Sequence, residues 1–168
     1  MSKPFTRILG IDPGSVVTGF GIIESDGQRS VHLAHGNIKL VGEDFTQRLG
    51  NVFARINAVI DEWQPEECAI ENVFMNKNAM SALKLGQARG AAIAAVVARG
   101  VPVAEYSPRL IKQTVTGTGG ADKGQVQHMI RILLNLREEV QADAADGLAI
   151  ALCHAHSRTT ANKRERVQ

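Results

Sequence analysis

The sequence predicts an α/β fold in a single domain, with a mixed β-sheet between helices. The chain has 168 residues, which suits one domain with enough length to bury a core. Its hydrophobic content of 44% is close to the globular average and excludes a wholly disordered chain. Three strand-like runs come first, and helical and strand-like segments alternate after them, which is typical of a layered α/β protein with a mixed sheet.

The first three runs predict an antiparallel meander, because short turn signals separate them. Arg7–Asp12 is followed by a Pro-Gly pair, and Val17–Ser25 is followed by Asp26-Gly27, which favours a tight hairpin. The third run is Ser30–Val41.

The segments after residue 43 predict alternating helices and strands. Asp44 can cap a helix whose apolar side chains recur at steps of three and four as far as Trp63. The remaining predicted elements are a short buried strand at Glu67–Glu71, a helix rich in small residues at Asn78–Arg99, a strand at Val101–Tyr106, and helices at Asp122–Leu136 and Ala142–His156. We assign residues 1–157 to the folded domain and expect the polar, basic tail 158–168, which lacks apolar periodicity, to be disordered.

The net charge of +2 conceals an uneven distribution along the chain. Residues 1–71 carry six basic and ten acidic side chains, whereas residues 72–137 carry nine basic and two acidic ones. Residues 138–157 then carry four acids and no base. The basic middle can neutralise nucleic-acid phosphates, although scattered Lys and Arg are also typical of an ordinary solvated face.

Several classes of protein are not favoured. No apolar run approaches the roughly 20 residues of a membrane span, and Met1–Arg7 lacks the apolar core of a secretory signal. Two cysteines, Cys68 and Cys153, give neither a disulfide framework nor a zinc site, and we expect both to be buried thiols in a cytoplasmic protein.

Four acids are placed where α/β proteins usually hold ligand groups. Asp12 and Glu71 each end a predicted strand, and Asp143 and Asp146 are three apart in a helical segment, so that they share a face. Carboxylates gathered at one sheet edge repel one another unless cations lie among them. Hard divalent ions prefer such oxygen ligands, and two of them can flank a phosphodiester, which points to nucleic-acid hydrolysis.

Each acid also has an ordinary structural interpretation. Asp12 precedes Pro-Gly and can initiate a turn, and Asp143 and Asp146 suit the first turn of a helix. Glu71 fits such an interpretation less well, because an unpaired acid in a buried strand is costly.

Six further sequence blocks stand out in chain order: Ile11-Asp-Pro-Gly-Ser15, Thr18-Gly-Phe-Gly21, Ile70-Glu-Asn-Val-Phe-Met75, Asn78 with Ser81–Gly90, Lys112-Gln-Thr-Val115 and Gln141–Ala149. In these blocks, and over roughly positions 8 to 156, the chain resembles the RuvC-type Holliday junction resolvases, which have them in the same order. The resemblance implies an RNase H-like fold with helices on both faces of the sheet, a homodimer, and Mg²⁺-dependent cutting of four-way DNA junctions. It further implies two Mg²⁺ ions per subunit, with Mn²⁺ as a substitute, and a branch-migration motor formed by the RuvA and RuvB proteins as partner.

Carried over position by position, the resemblance also implies roles for individual residues. The metal-binding and catalytic carboxylates would be Asp12, Glu71, Asp143 and Asp146. Lys112 and Lys123 match basic residues implicated in catalysis and DNA contact, and Phe74 matches an aromatic that meets unstacked bases. We add Lys77, Lys84 and Arg89 from the basic middle as candidate DNA contacts.

The helix Asn78–Arg99 is our candidate for part of a dimer interface, because small side chains permit close approach. A two-fold dimer presents the same site twice and suits a substrate with two equivalent strands.

Two other functions compete with junction cleavage. A protein that only binds junctions would need the basic middle but not the four acids. Nucleotide phosphate binding is more distant, because Gly117–Lys123 lacks the glycine that precedes the lysine of a P-loop. His154 and His156 are two apart, do not face one another on a helix, and are interpreted as a polar helix end.

Overall fold

The fold is a five-stranded mixed sheet with helices on both faces. A computed structural model of the chain describes residues 4–72 and 78–165. Its strands are β1 (Thr6–Asp12), β2 (Val17–Ser25), β3 (Ser30–Lys39), β4 (Glu67–Glu71) and β5 (Val103–Tyr106). Its helices are α1 (Phe45–Trp63), α2 (Ala79–Val97), α3 (Pro108–Thr116), α4 (Lys123–Leu133) and α5 (Ala142–Glu165). The predicted α/β class and mixed sheet are confirmed.

The strand order β3-β2-β1-β4-β5 brings the two strands that end in acids side by side. β1, β2 and β3 form the predicted antiparallel meander, while β4 runs parallel to both β1 and β5. Because parallel strands end at the same sheet edge, Asp12 and Glu71 emerge together.

Alternate residues of each central strand supply two separate cores, as the pleat requires. Leu9 and Ile11 of β1 pack with α1 and α2 on one face, whereas Ile8 packs with α3, α4 and α5 on the other. Cys68 and Cys153 are buried free thiols, as the sequence predicts, and the structure places them in opposite cores. No helix within residues 4–72 and 78–165 is long and apolar enough to cross a membrane.

Glycines let α5 lie with its backbone directly against the sheet. A Cβ added at Gly10 of β1 would stand 2.0 Å from the carbonyl oxygen of Gly147, and one at Gly19 of β2 would stand 1.9 Å from that of Asp143. We call this line of main-chain contacts the glycine seam. It fixes the first two turns of α5, which carry Asp143 and Asp146, beside the end of β1.

Two predictions need correction. No helix is predicted over residues 107–117, whereas α3 occupies Pro108–Thr116. Its signals are local: the Ser107 hydroxyl accepts from the Leu110 amide, proline stands in the first turn, and Gly117 ends the helix in the left-handed conformation.

The predicted end of the last helix at His156 is the second correction, because α5 continues to Glu165. Arg158 lies in this extension and forms an ion pair with Glu67 of β4 at 2.8 Å. The extension therefore has a partner on the sheet that periodicity alone does not reveal.

Candidate active site

Three of the four predicted acids converge at the end of β1. One carboxylate oxygen from each of Asp12, Asp143 and Asp146 lies within 4.8 Å of the other two. Asp143 and Asp146 reach this position because they share one face of α5, which the glycine seam holds against the sheet. The N-terminus of α5 also favours negative charge through its dipole.

Glu71 and the two predicted lysines join the acids around one cavity. A cavity of about 200 Å³ is lined by Asp12, Glu71 and Asp146 together with Lys112 and Lys123. The structure therefore brings five of the six predicted catalytic residues to one space, and Asp143 completes the group through its contact with Asp12 and Asp146.

Two short helices carry the lysines to the cavity. Lys112 is in α3, whose cap is described above, and Lys123 is the first residue of α4. A reciprocal pair of hydrogen bonds fixes the start of α4: the Gln125 amide donates to the Asp122 carboxylate at 2.8 Å, and the Asp122 amide donates to the Gln125 side chain at 2.9 Å.

Asp12 has the most strongly perturbed carboxyl group of the site. Burial, followed by the negative charges of Asp146, Glu71 and Asp143, raises its pKa to about 8. Its protonated carboxyl donates a hydrogen bond to Asp146. Without a bound cation, therefore, the site relieves its like-charge repulsion by holding a proton on Asp12.

The lysines offset only part of this excess negative charge. Burial and the charge of Asp146 raise the pKa of Glu71, and Lys112 and Lys123 act in the opposite direction. Burial likewise raises the pKa of Asp146 above its usual value, against the pull of Lys123. A set of oxygen donors that retains excess negative charge suits a hard divalent cation.

The other predicted DNA contacts lie elsewhere or carry other partners. Lys84 is exposed on α2, with its ammonium 5.8 Å from the centre of the Phe45 ring. Arg89 is half-buried and bonded to groups at the ends of β4 and β5. Phe74 and Lys77 lie outside the described residues.

His154 takes part in a polar network that the sequence does not predict. The Tyr106 hydroxyl lies 2.7 Å from His154 Nδ1, and His154 Nε2 lies 2.5 Å from a carboxylate oxygen of Glu67. His154 is buried, so its interpretation as a polar helix end is wrong. No local sequence signal could have found this network, because its members are brought together only when α5 packs on β4 and β5.

The fold and site together define a class: an RNase H-like α/β protein with carboxylates gathered at the ends of its central strands and lysines beside them. Comparison with known proteins narrows this class. The family model described as crossover junction endodeoxyribonuclease RuvC matches residues 8–154. The chain belongs to this family of endonucleases.

Named relatives and solved structures agree with that membership. Crossover junction endodeoxyribonuclease RuvC of Photobacterium profundum is 56% identical over 155 residues, covering 92% of this chain and 90% of the relative. The protein of the same name from Xanthomonas campestris pv. campestris, strain B100, is 58% identical over 160 residues, covering 94% and 92% respectively. The structure of Thermus thermophilus RuvC in complex with Holliday junction substrate superimposes with a TM-score of 0.87 at 34% identity, covering 93% of this chain and 96% of that one.

Proposed function

We propose that this protein resolves four-way (Holliday) DNA junctions in homologous recombination and repair. It makes two symmetric phosphodiester cuts, leaving 5′-phosphate and 3′-hydroxyl ends. The observation that carries the proposal is the convergence of Asp12, Asp143 and Asp146 to within 4.8 Å in a chain of the crossover junction endodeoxyribonuclease family. The Thermus thermophilus relative described above, which was solved with a junction substrate, supports the choice of DNA.

The carboxylates suit divalent cations. Asp12 retains a proton when no cation offsets its neighbours, and displacement of that proton by a cation would remove the repulsion that raises its pKa. We assign Mg²⁺ as the physiological ion, two per subunit, with Mn²⁺ as a substitute, because both accept carboxylate and water oxygens. Bound there, the ions would supply an activated water and stabilise the leaving oxygen of the phosphodiester.

The residues of the chain divide the remaining work. Asp12 faces all three other acids, and together with Glu71, Asp143 and Asp146 it would hold the ions. Lys112 and Lys123 line the same cavity and offset charge that develops on the phosphate oxygens. Preorganised charge of this kind needs no rearrangement during the reaction.

Other basic and aromatic residues would hold the DNA. Lys84 is exposed and free to approach a phosphate, which gives affinity with little sequence preference. Lys77 is assigned the same role from the sequence. Phe74 is assigned to stack on an unpaired base at the junction point.

The protein would act as a two-fold dimer through α2. Met80, Leu83 and Val97 are each more than half exposed on this helix. A Cβ added at Gly86 or Gly90 would meet nothing within 4 Å, so the helix has an open face where a second copy can approach closely. A two-fold axis would present two equivalent sites to the two strands of a junction.

By family resemblance, a branch-migration motor of RuvA and RuvB proteins would deliver the junction, and the site of action would be the cytoplasm. Light scattering at micromolar concentration tests the dimer, for which a mass of twice 18.1 kDa is expected.

A cleavage assay tests the function most directly. With Mg²⁺, the protein should cut a four-way junction and spare a linear duplex of the same sequence, and EDTA should stop the cutting. Asp146→Asn should still bind the junction while cleavage is lost. A wild-type protein that binds junctions without cutting them would favour the competing function, a junction-binding protein without nuclease activity.

A further inference from the structure

Arg89 joins the end of β4 to β5 from its position on α2. Its Nε donates to the backbone carbonyl oxygen of Glu71 at 3.2 Å, and its Nη2 donates to the side-chain oxygen of Asn72 at 3.5 Å. The same Nη2 forms an ion pair with Glu105 of β5. One guanidinium thus bonds the last residue of β4, the residue that follows it, and a side chain of the adjacent strand β5.

Glu71 stands where the sheet gives it little support. The register between β1 and β4 ends at the pair Ile11–Ile70, one residue before Glu71. Beyond that pair, the backbone of β4 has a strand neighbour only on the β5 side, where Glu71 pairs with Tyr106. The hydrogen bond from Arg89 therefore holds the Glu71 backbone where one of its two strand neighbours ends.

The surroundings of Arg89 favour an internal role over contact with a phosphate. Its side chain is 18% exposed, whereas that of its ion-pair partner Glu105 is 49% exposed. The positive charge is already paired with a carboxylate, and the planar guanidinium bonds several acceptors at once, which a lysine ammonium cannot do in the same geometry.

We propose that Arg89 is a positioning residue for Glu71, which fixes the backbone from which the Glu71 carboxylate projects into the acidic site. The proposal rests on the proposed nuclease function and replaces the sequence-based assignment of Arg89 as a DNA contact. Hydrogen-bonded partners behind a metal ligand typically contribute 10–100-fold to metal affinity or activity. Small displacements of a catalytic group have effects of similar size.

The test separates binding from cleavage in Arg89→Met, which keeps the apolar stem and loses the donors. Three quantities are measured: the Kd for a fluorescent four-way junction in EDTA, the single-turnover cleavage rate with Mg²⁺, and the affinity for Mn²⁺ alone by electron paramagnetic resonance. We expect cleavage about 10–100-fold slower and weaker Mn²⁺ binding, with the junction Kd within about twofold of wild type.

Arg99→Met is the matched control. Arg99 lies in the turn just after α2, and it pairs with Asp61 and bonds Asn57 on α1, so its loss removes an ion pair that does not touch Glu71. All three quantities should stay within about twofold of wild type. A tenfold rise in the junction Kd of Arg89→Met, with a smaller salt dependence, would instead identify Arg89 as a phosphate contact and overturn the proposal.

Two further variants keep the result interpretable if Arg89→Met is unstable. Arg89→Lys preserves the charge but not the planar fork, so cleavage should remain slow; a wild-type rate would show that charge alone suffices and would contradict the positioning role. Glu105→Gln should slow cleavage less than Arg89→Met does. The double variant should match Arg89→Met alone, because Glu105 acts through Arg89.

The measurements on wild-type protein distinguish failure of the proposed nuclease function from failure of the positioning role of Arg89. If wild-type protein does not cut junctions, the proposed function fails, and Mn²⁺ affinity still reports whether Arg89 supports the metal site. If wild-type protein cuts and Arg89→Met cuts at the same rate with the same Mn²⁺ affinity, the positioning role fails alone.

Discussion

β4 begins and ends with a glutamate, and α5 packs beside both of them, but the charge is balanced differently at the two ends. At one end, Glu71 and Asp146 face Asp12, and the pKa of each of these carboxyls is raised. At the other end, Glu67 of β4 lies between His154 and Arg158 of α5. The first end holds excess negative charge, whereas the second end pairs its charge within the protein.

At the second end, which we call the paired end, each hydrogen bond has a defined donor and acceptor. Burial lowers the pKa of His154, so the ring is neutral. Its Nε2 proton then donates to Glu67, while Nδ1 accepts from the Tyr106 hydroxyl, and Arg158 donates to the same Glu67 oxygen at 2.8 Å. The paired end stabilises the packing of α5 on the sheet. The first end, which we call the acidic end, lowers the stability of the fold but provides a binding place for cations.

Asp12→Asn should give the largest effect, because it removes the acid that faces all the others. Cleavage should fall by more than the 10–100-fold typical of a supporting residue. The metal-free variant should nevertheless melt at a higher temperature than wild type, because the amide relieves burial of an acid among like charges. A junction cleavage assay with Mg²⁺ checks the loss of activity, and calorimetry in EDTA checks the melting temperature. A variant that melts below wild type would show that the acidic end is not destabilising.

His154→Ala, at the paired end, should lower the stability of the protein and leave cleavage nearly unchanged. It removes hydrogen bonds to Tyr106 and Glu67 and opens a buried cavity, so the free energy of unfolding should fall by about 2–4 kcal/mol. Cleavage measured well below the melting temperature should stay within about threefold of wild type. His156→Ala, at an exposed neighbouring position, is the control and should change stability by less than about 0.5 kcal/mol. If both variants lost the same free energy of unfolding, the hydrogen bonds of His154 to Tyr106 and Glu67 would not be the cause.

The pH dependence of stability should distinguish the ends as well. The pKa of Asp12 is about 8 in the folded protein and 3.8 as the ordinary value, so the folded state holds an extra proton between these limits. Stability from this group is present below pH 3.8 and is lost as the pH rises towards 8. The stability advantage of Asp12→Asn over wild type, measured by urea unfolding in EDTA, should therefore grow from pH 5 to pH 8, by at least about 1 kcal/mol. A constant difference across this range would contradict the raised pKa.

Added Mg²⁺ should stabilise the protein modestly, and it should act only through the acidic end. At ten times its Kd, an ion that binds only the folded state stabilises it by about 1.4 kcal/mol. Thermal melting at pH 8 should show this gain in wild type and in His154→Ala, but not in Asp12→Asn. A gain of the same size in Asp12→Asn would place the bound ions somewhere else.

The sequence predicts much of the fold because its signals are local. Turn residues separate the first strands, and the periodicity between Phe45 and Trp63 marks a long amphipathic helix. α3 is missed because only Ile111 and Val115 are buried in its nine residues, which is too short a pattern to recognise without the capping residues.

The site is predicted in a similarly uneven way. The acids are found because strand ends and helical spacing are visible in a sequence, and the resemblance adds the lysines. Partners from different elements are not visible: Arg89 and Glu105 are 16 residues apart and meet only when α2 packs beside β5. The same holds for Glu67 and His154, which are 87 residues apart.

The glycine seam makes the acidic centre sensitive to residues that lie outside it. Gly10, Gly19 and Gly147 leave no side chain at these contacts, so main-chain atoms of α5 meet main-chain atoms of β1 and β2 directly. An added side chain cannot be accommodated there by the rotation of a neighbouring one. A single methyl group at Gly19 would instead push Asp143 away from its partners, so the seam concentrates the mutational sensitivity of the enzyme into a few positions that contain no chemistry of their own.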